Sequence, residues 1–152
     1  MMNCTLRKVD DAEDWQAYHG IRRRVLFEKR GRFGVYNNNH PDELRAGNTP
    51  FLLIIADRPI GTVRVDMRNR HDAIVRMVAI SNEERGKGHG RCLMQLVAEF
   101  ALSSGRTRLV LNAAPEAVGF YRKLGFNEEV WDDEELKGVL AGGAQMTKKI
   151  GV

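Results

Sequence analysis

Hydrophobic and polar residues alternate along several short segments of the chain, with the period of two that is typical of β-strands. Residues 5–9 predict a first strand, and Asp11 predicts the N-cap of a helix that runs to about Phe27. Residues 51–56 and 60–67 predict an antiparallel hairpin, because an apolar run and an alternating run flank a Pro-containing turn. The first part of the chain is therefore predicted as strand, helix and hairpin.

The middle of the chain predicts a strand, a helix and a second strand. Residues 73–80 are apolar on both faces except at Arg76, which is typical of a central strand. Apolar residues then recur at helical spacing over residues 93–101, Gly105 predicts the end of that helix, and residues 108–112 alternate again. Such a crossover is expected to be parallel and right-handed.

The C-terminal part of the chain completes the predicted sheet. Pro115 opens a second helix that ends at Gly125, and residues 126–131 and 145–150 predict two more strands. The whole pattern predicts a mixed α/β fold, a central twisted mixed sheet flanked by helices. Because a chain of 152 residues has room for one hydrophobic core, we expect a single domain over residues 1–152.

Composition narrows the class of protein. With 43% hydrophobic residues the chain has enough apolar material for a core, which disfavours a wholly disordered protein. The longest apolar run, residues 51–56, is far shorter than the roughly 20 residues that cross a bilayer, and the charged N-terminal segment lacks the apolar region of a secretory signal. We therefore expect a cytoplasmic protein with no membrane partner.

The cysteines and histidines show no metal-ligand spacing. We therefore predict no metal, and we expect Cys4 and Cys92 to be free, buried thiols, with Cys92 packing rather than reacting. The formal net charge of +4 permits an anionic partner without identifying one.

The glycine-rich segment, residues 85–90 (Arg-Gly-Lys-Gly-His-Gly), carries the strongest chemical signal. It joins a buried strand to an amphipathic helix, so several backbone N–H groups and the positive end of the helix dipole can point at one anion. The alternative is a flexible turn with solvated charges. A nucleoside-triphosphate loop is disfavoured because Gly88 follows Lys87 where such a loop has Ser or Thr. The glycine spacing, and the absence of an acidic residue at the end of the next strand, disfavour a nicotinamide site.

The same segment resembles the Arg/Gln-x-x-Gly-x-Gly/Ala signature of the GNAT superfamily of N-acetyltransferases, through Arg85, Gly88 and Gly90. Residues 78–80, Val-Ala-Ile, are similar to the strand that precedes this signature in the family. A second family segment is matched by Asn112, Ala117, Phe120-Tyr121, Lys123 and Gly125-Phe126. Two family segments in the expected order make the resemblance specific.

The resemblance implies acetyl-CoA as cofactor and transfer of its acetyl group to a primary amine by direct attack. It places the main chain of one strand along the pantetheine arm and thioester, and the glycine-rich segment around the pyrophosphate. The candidate cofactor-binding residues are Val78, Ala79, Ile80, Arg85, Gly86, Lys87, Gly88, His89, Gly90, Arg91, Asn112 and Lys123.

Tyr121 is the candidate catalytic residue, because the resemblance implies a tyrosine that donates a proton or a hydrogen bond to the departing CoA sulfur. The alternative is a core tyrosine whose hydroxyl meets a backbone group. The acceptor ammonium must also lose a proton. The side chains that can accept this proton are Glu28, Glu43, Asp66, His71, Asp72 and Glu116, and the sequence selects none of them.

The acceptor, a small-molecule or peptide amine, is expected to bind between the first helices and residues 31–50, a long connection rich in Gly, Asn and Pro. Residues 21–28 resemble an Ile-Arg-x-x-Val-Phe stretch of small bacterial family members, but Lys29-Arg30 replaces the Glu-Gln that usually follows. We interpret the three arginines at residues 22–24 as a solvated helix face and residues 132–135 as an exposed acidic loop or helix start. A homodimer is common in the family.

Two other functions stay open on the sequence. A CoA-binding sensor without catalysis would release no CoA against a panel of amines. A basic nucleic-acid-binding module is suggested by the arginines but lacks a zinc-finger or RNA-recognition signature. Its binding to duplex DNA would weaken steeply with salt.

Overall fold

The computed structural model describes residues 3–152. The strands are β1 (Cys4–Lys8), β2 (Asn48–Ile55), β3 (Arg58–Met67), β4 (Asp72–Ile80), β5 (Arg108–Ala113), β6 (Asn127–Glu128) and β7 (Ala144–Lys149). The α-helices are α1 (Ala12–Arg22), α2 (His89–Ser103), α3 (Val118–Lys123) and α4 (Asp133–Leu136). Within the described residues the strands form a seven-stranded sheet in the order β1-β2-β3-β4-β5-β7-β6. The predicted mixed sheet flanked by helices is confirmed, and β4 is its central strand.

The chain forms two compact units. The first comprises the residues up to Asp66 together with Met77–Val97, and the second comprises Met67–Arg76 together with Ala98–Val152. Strand β4 and helix α2 each contribute residues to both units. The single domain over the whole chain stays a prediction. Among residues 3–152, no helix has the length and apolar composition needed to span a bilayer.

In the first unit, helix α1 begins where the sequence predicts it. The Asp11 side chain accepts a hydrogen bond from the Asp14 N–H at 2.8 Å, which satisfies one free donor of the first turn. The regular α-helix ends at Arg22, and Arg23–Phe27 continues as a π-helical turn. The apolar face packs into a cluster of buried residues from α1, the π-helical turn, β2 and β4: Tyr18, Ile21, Val25, Leu52, Ile54 and Ala79.

Strands β1, β2 and β3 pair antiparallel in the same unit. The turn between β2 and β3 lies at Ala56 and Asp57, whose φ angles of 51° and 61° suit the type I′ turn that joins hairpin strands. The predicted hairpin is therefore confirmed. Strand β2 begins at Asn48, inside the predicted long loop, and a 3-10 helix over Pro41–Leu44 lies in the rest of that loop.

Cys4 and Cys92 form a disulfide between β1 and α2. The expectation of two free thiols is therefore wrong. The two residues are 88 positions apart in the sequence, and their Cα atoms lie 6.9 Å apart. Residue spacing carries no signal for such a pair, because only the packing of a strand against a distant helix brings the two side chains together.

In the second unit, β5 pairs antiparallel with β7, and β7 pairs antiparallel with β6. The pairing of β4 with β5 is parallel, as the strand–helix–strand pattern predicts, and it joins residues 72–74 to residues 108–110. Trp131 packs with Ile74 and Val110 in a small buried cluster.

Trp131 also explains why the strand predicted over residues 126–131 is shorter in the structure. Its indole N–H donates to the Leu111 carbonyl at 2.9 Å, and its backbone N–H donates to the Gln145 side chain at 2.9 Å. A side-chain acceptor thus replaces a strand partner at this residue, and β6 is limited to Asn127–Glu128.

The short helices of the second unit begin at signals that the sequence carries. Pro115–Ala117 forms a 3-10 turn ahead of α3. The Asp132 carboxylate accepts hydrogen bonds from the Glu134 and Glu135 N–H groups at 3.0 and 3.1 Å. The acidic stretch is therefore a helix start, which is one of its two predicted forms.

Candidate functional site

The glycine-rich segment lies in the first unit, where a 3-10 turn over Asn82–Glu84 leads into it and α2 begins at His89. Gly86 and Gly88 have positive φ angles of 78° and 81°, whereas Lys87 between them does not. Positive φ at one residue of an adjacent pair is a feature of the backbone concavities in which successive N–H groups bind an anion. A Cβ placed on Gly86 would meet no atom within 4 Å, so the backbone is open to a ligand here.

The charged side chains around this segment fall into two groups. Arg85, Lys87 and Arg91 are exposed. His89 is instead buried, and its ring nitrogen lies 3.4 Å from the carboxylate of buried Glu84, which also lies 3.5 Å from the Lys87 ammonium. The segment therefore offers a ligand three exposed cationic side chains, whereas His89 can contribute only its backbone N–H.

The direction of the β4 backbone determines which of its N–H groups are available. The Ser81 N–H donates to the Ile60 carbonyl at 2.8 Å, so it faces β3. Because the N–H groups of successive residues point to opposite edges of a strand, those of Ile80 and Val78 face away from β3. The pairing of β4 with β5 reaches only Ile74 among the described residues, so these two N–H groups lie beyond it.

Gly61 of β3 fits closely against this part of β4. A Cβ at this position would lie 2.9 Å from the Ile80 Cδ1 atom and 3.0 Å from the Ala79 carbonyl oxygen. The Ile80 Cδ1 atom ends a flexible side chain and can move aside, whereas the Ala79 carbonyl oxygen belongs to the backbone, so an alanine here requires a small shift of β4. The absence of a side chain at Gly61 therefore sets the position of the strand that carries the candidate main-chain groups.

Tyr121 lies in α3, in the second unit, and is buried. Its ring makes edge-to-face contacts with Phe120 and Phe126, at centroid distances of 5.1 and 5.5 Å. Burial raises the pKa of its phenol to about 12, because the apolar surroundings disfavour the phenolate. The hydroxyl is therefore protonated at neutral pH and has a proton to donate.

Asn112 of β5 belongs to a polar network within the second unit. Its side-chain amide donates to the Glu135 carboxylate at 2.9 Å, and its oxygen accepts from the Gln145 amide at 2.9 Å. The Arg76 guanidinium binds the same carboxylate at 2.6 and 2.9 Å and, as the main cause, lowers the pKa of Glu135. Lys123 is exposed at the end of α3.

The buried aspartates among the candidate proton acceptors are already ion-paired. The Arg64 guanidinium binds both oxygens of Asp66, at 2.7 and 2.8 Å. Arg108 binds Asp72 in the same way, at 2.8 and 2.9 Å, and its hydrogen bonds lower the pKa of that carboxyl. The Arg108 guanidinium thus favours the charged form of Asp72, which makes this carboxylate a poor general base.

The interpretation of the three arginines at residues 22–24 as a solvated helix face is wrong for Arg22. Its side chain is 2% exposed, pairs with the Glu43 carboxylate and lies 4.2 Å over the Tyr18 ring. Arg64 lies 3.5 Å from the same carboxylate oxygen. Glu43 belongs to the Pro41–Leu44 turn, so this buried pair ties the predicted acceptor loop to α1.

The structure divides the predicted site residues between the two units. Residues 78–80 and 85–91 belong to the first unit, and Asn112, Tyr121 and Lys123 belong to the second.

Two carboxylates that contact predicted site residues were missed by sequence reasoning. Glu84 stands three residues before Lys87 and pairs with it, so local spacing could have revealed it. Glu135 has no such signal, because 23 residues separate it from Asn112.

Residues 47–128 match the family described as the acetyltransferase (GNAT) domain, which is more than half of the 152 residues. The chain belongs to the GNAT acetyltransferase family. The resemblance predicted from the glycine-rich segment is therefore confirmed, and the candidate cofactor-binding residues and Tyr121 lie inside the matched region of this GNAT protein.

Two curated N-acetyltransferases resemble part of the GNAT chain. One is "Uncharacterized N-acetyltransferase YjcF" of Bacillus subtilis, 27% identical over 85 residues that cover 56% of this chain and 60% of that protein. The other is chloroplastic serotonin N-acetyltransferase 2 of Oryza sativa subsp. japonica, 31% identical over 84 residues that cover 55% of this chain and 40% of that protein. The match thus spans less than two thirds of either relative.

A solved structure supports the same fold over nearly the whole chain. Escherichia coli ElaA superposes with a TM-score of 0.76, covering 98% of this chain and 100% of that chain at 18% sequence identity. At this identity the likeness shows the GNAT fold, whereas the family match supports an acetyltransferase.

Proposed function

We propose that this GNAT protein transfers an acetyl group from acetyl-CoA to a primary amine by direct attack, with no covalent enzyme intermediate. The observation that carries the proposal is the backbone of the glycine-rich segment. Gly86 and Gly88 adopt positive φ directly ahead of a 15-residue helix, which is a local geometry suited to a diphosphate.

The residues of this segment fit the diphosphate of acetyl-CoA. Their N–H groups and the N-terminal end of α2 supply donors and a positive potential, and Arg85, Lys87 and Arg91 add exposed positive charge. The open space at Gly86 lets an anion approach the main chain. When bound, acetyl-CoA supplies an acetyl group activated as a thioester.

The main chain of β4 is the proposed source of oxyanion stabilisation. Attack on a thioester carbonyl places negative charge on its oxygen, and a backbone N–H preorganised against that charge contributes about 3 kcal/mol. The Ile80 N–H faces away from β3 and lies beyond the β5 pairing, which supports this role. Because a backbone group does this work, the position of the strand matters more than the identity of its side chains.

Tyr121 is the proposed donor of a proton or a hydrogen bond to the departing sulfur. Its raised pKa, about 12, keeps the phenol protonated at neutral pH. A thiol with a pKa near 8.5 already leaves as a thiolate with moderate ease. The donor is therefore expected to contribute about 10²-fold to turnover and to be helpful rather than indispensable.

The acceptor is proposed to be a small-molecule or peptide amine that binds on the side of α1 and residues 31–50. A cavity of about 450 Å³ between α1 and the Pro41–Leu44 turn supports this side, with Trp15 and His19 in its lining. These two rings stack at a centroid distance of 5.4 Å. The name of the rice relative, a serotonin N-acetyltransferase, also supports an amine acceptor.

Calorimetric titration with acetyl-CoA tests the cofactor site. Gly88→Glu should abolish binding, because it introduces a side chain and a like charge where the diphosphate is held. Gly105→Glu is the matched control, since Gly105 has a φ of 82° against 81° at Gly88, and a Cβ there meets no atom within 4 Å. Unchanged affinity for acetyl-CoA in a folded Gly88→Glu protein would contradict the proposal that the glycine-rich segment binds the diphosphate.

Release of free CoA against a panel of amines tests the reaction. Amine-dependent release supports the transferase. Binding of acetyl-CoA without release for any amine class would instead favour a CoA-binding sensor.

A further inference from the structure

The disulfide joins the candidate cofactor segment to a distant strand. Cys92 lies in the first turn of α2, and its backbone N–H donates to the Gly88 carbonyl at 3.2 Å. Cys4 lies opposite Ile55 in the antiparallel pairing of β1 with β2. The covalent bond therefore anchors the turn that follows the glycine-rich segment to the sheet of the first unit.

The same bond lies where its redox state can change. Cys4 and Cys92 are both partly exposed residues, so the bond is not enclosed in the hydrophobic core and a small thiol can approach it. Without the bond, the first turn of α2 is held at this residue by backbone hydrogen bonds such as the one from Cys92 to Gly88. First turns of helices fray most readily, because their N–H groups lack helical partners.

We propose that Cys4–Cys92 is a reversible thiol–disulfide modification site that sets how tightly the glycine-rich segment binds its anionic ligand, with the disulfide form binding more tightly. The bond limits the conformations of the segment before the ligand arrives, and such preorganisation reduces the entropy lost on binding. The identity of the ligand as acetyl-CoA rests on the proposed function, whereas the effect of the bond on the segment does not.

A dithiol that serves as the reductant can open the Cys4–Cys92 bond by thiol–disulfide exchange. One thiolate of the dithiol attacks a sulfur of the protein disulfide and forms a mixed disulfide with that cysteine. The Cys4–Cys92 bond breaks, and the other cysteine leaves as a thiolate that takes up a proton. The second thiol of the reductant then attacks the mixed disulfide, closes a cyclic disulfide and releases the second cysteine. The protein gains two electrons and two protons, and the dithiol loses them. A disulfide oxidant reverses the step.

The linkage itself is tested first by peptide mapping. Tryptic digestion without reductant should give residues 1–7 joined to residues 92–106, because trypsin cleaves after Arg7, Arg91 and Arg106. Dithiothreitol added to the folded protein should separate them, and diamide, a thiol oxidant, should restore them. A pair that never forms the bond, or that dithiothreitol cannot open in the folded protein, overturns the proposal.

The effect on the segment is then measured with acetyl-CoA, which has no free thiol to reduce the bond. The oxidised protein should bind it at least about threefold more tightly than the reduced protein. Cys4→Ser removes the bond without changing any residue of the glycine-rich segment, and it should bind acetyl-CoA like the reduced protein, with or without dithiothreitol. Equal affinity of the two forms, or an equal effect of dithiothreitol on Cys4→Ser, overturns the proposal.

Hydrogen exchange without ligand separates this inference from the proposed function. The backbone amide of Cys92, which bonds to the Gly88 carbonyl, and the helical amides that follow it in α2 should exchange about tenfold faster in the reduced protein. If neither form binds acetyl-CoA, the proposed function fails and the exchange rates alone decide the inference. Equal exchange in the two forms would then overturn it, and faster exchange in the reduced form would support it.

Discussion

The buried carboxylate of Glu43 gives a prediction whose magnitude follows from the structure. Glu43 is 5% exposed and pairs with Arg22, which is 2% exposed, and Arg64 also approaches it. Glu43→Gln keeps the size of the side chain but removes its charge. Arg64 then retains Asp66, whereas Arg22 loses the carboxylate that it binds.

The expected loss of stability is about 3–5 kcal/mol, the usual effect of removing one partner from a buried ion pair. For a chain of this length each kcal/mol lowers Tm by about 2–4 °C, so Glu43→Gln should lower Tm by about 6–20 °C. The full loss of about 3–5 kcal/mol is expected because both charges are buried, so water does not screen their interaction.

Urea unfolding followed by circular dichroism measures the effect. Glu134→Gln is the matched control, because Glu134 is 82% exposed and pairs with Lys137 at the surface, where such pairs contribute little. The double variant Arg22→Met with Glu43→Leu should recover most of the loss, since well-packed apolar residues can replace a buried pair. A free energy of unfolding for Glu43→Gln within about 1 kcal/mol of the unaltered protein would refute the reasoning.

Two further predictions concern the proposed reaction. Tyr121→Phe should lower kcat by about 10²-fold while the KM for acetyl-CoA changes little. Because the pKa of Tyr121 is raised to about 12, the pH dependence of kcat in the unaltered protein should show no titration of this group at neutral pH. A variant with unchanged turnover under chemistry-limited conditions would remove Tyr121 from the mechanism. Gly61→Ala should lower the free energy of unfolding by about 1–3 kcal/mol through overpacking. It should also weaken acetyl-CoA binding, because the added Cβ would displace β4. Gly119→Ala, which meets no atom within 4 Å, is its control in unfolding and calorimetry, and equal results for the two variants would contradict the role assigned to Gly61.

Predictions that depend on short stretches of chain agree well with the structure. Asp11 caps α1, the β2–β3 hairpin forms, and the strand–helix–strand unit has the predicted parallel pairing. The family resemblance rests on similar local patterns and is confirmed. Predicted ends of elements fail where a side chain from elsewhere intervenes, as when Gln145 accepts the Trp131 N–H and limits β6.

The amino-acid sequence by itself determined the order of the elements, the central position of β4 and the family of the protein, because hydrophobic periodicity, caps and glycine positions act over a few neighbouring residues. Only the tertiary structure decided that Arg22 is buried against Glu43, that Cys4 bonds to Cys92, and that Asn112 contacts Glu135. Each of these pairs joins residues about 20 or more positions apart, and no local pattern specifies which distant side chain will be adjacent once the elements pack.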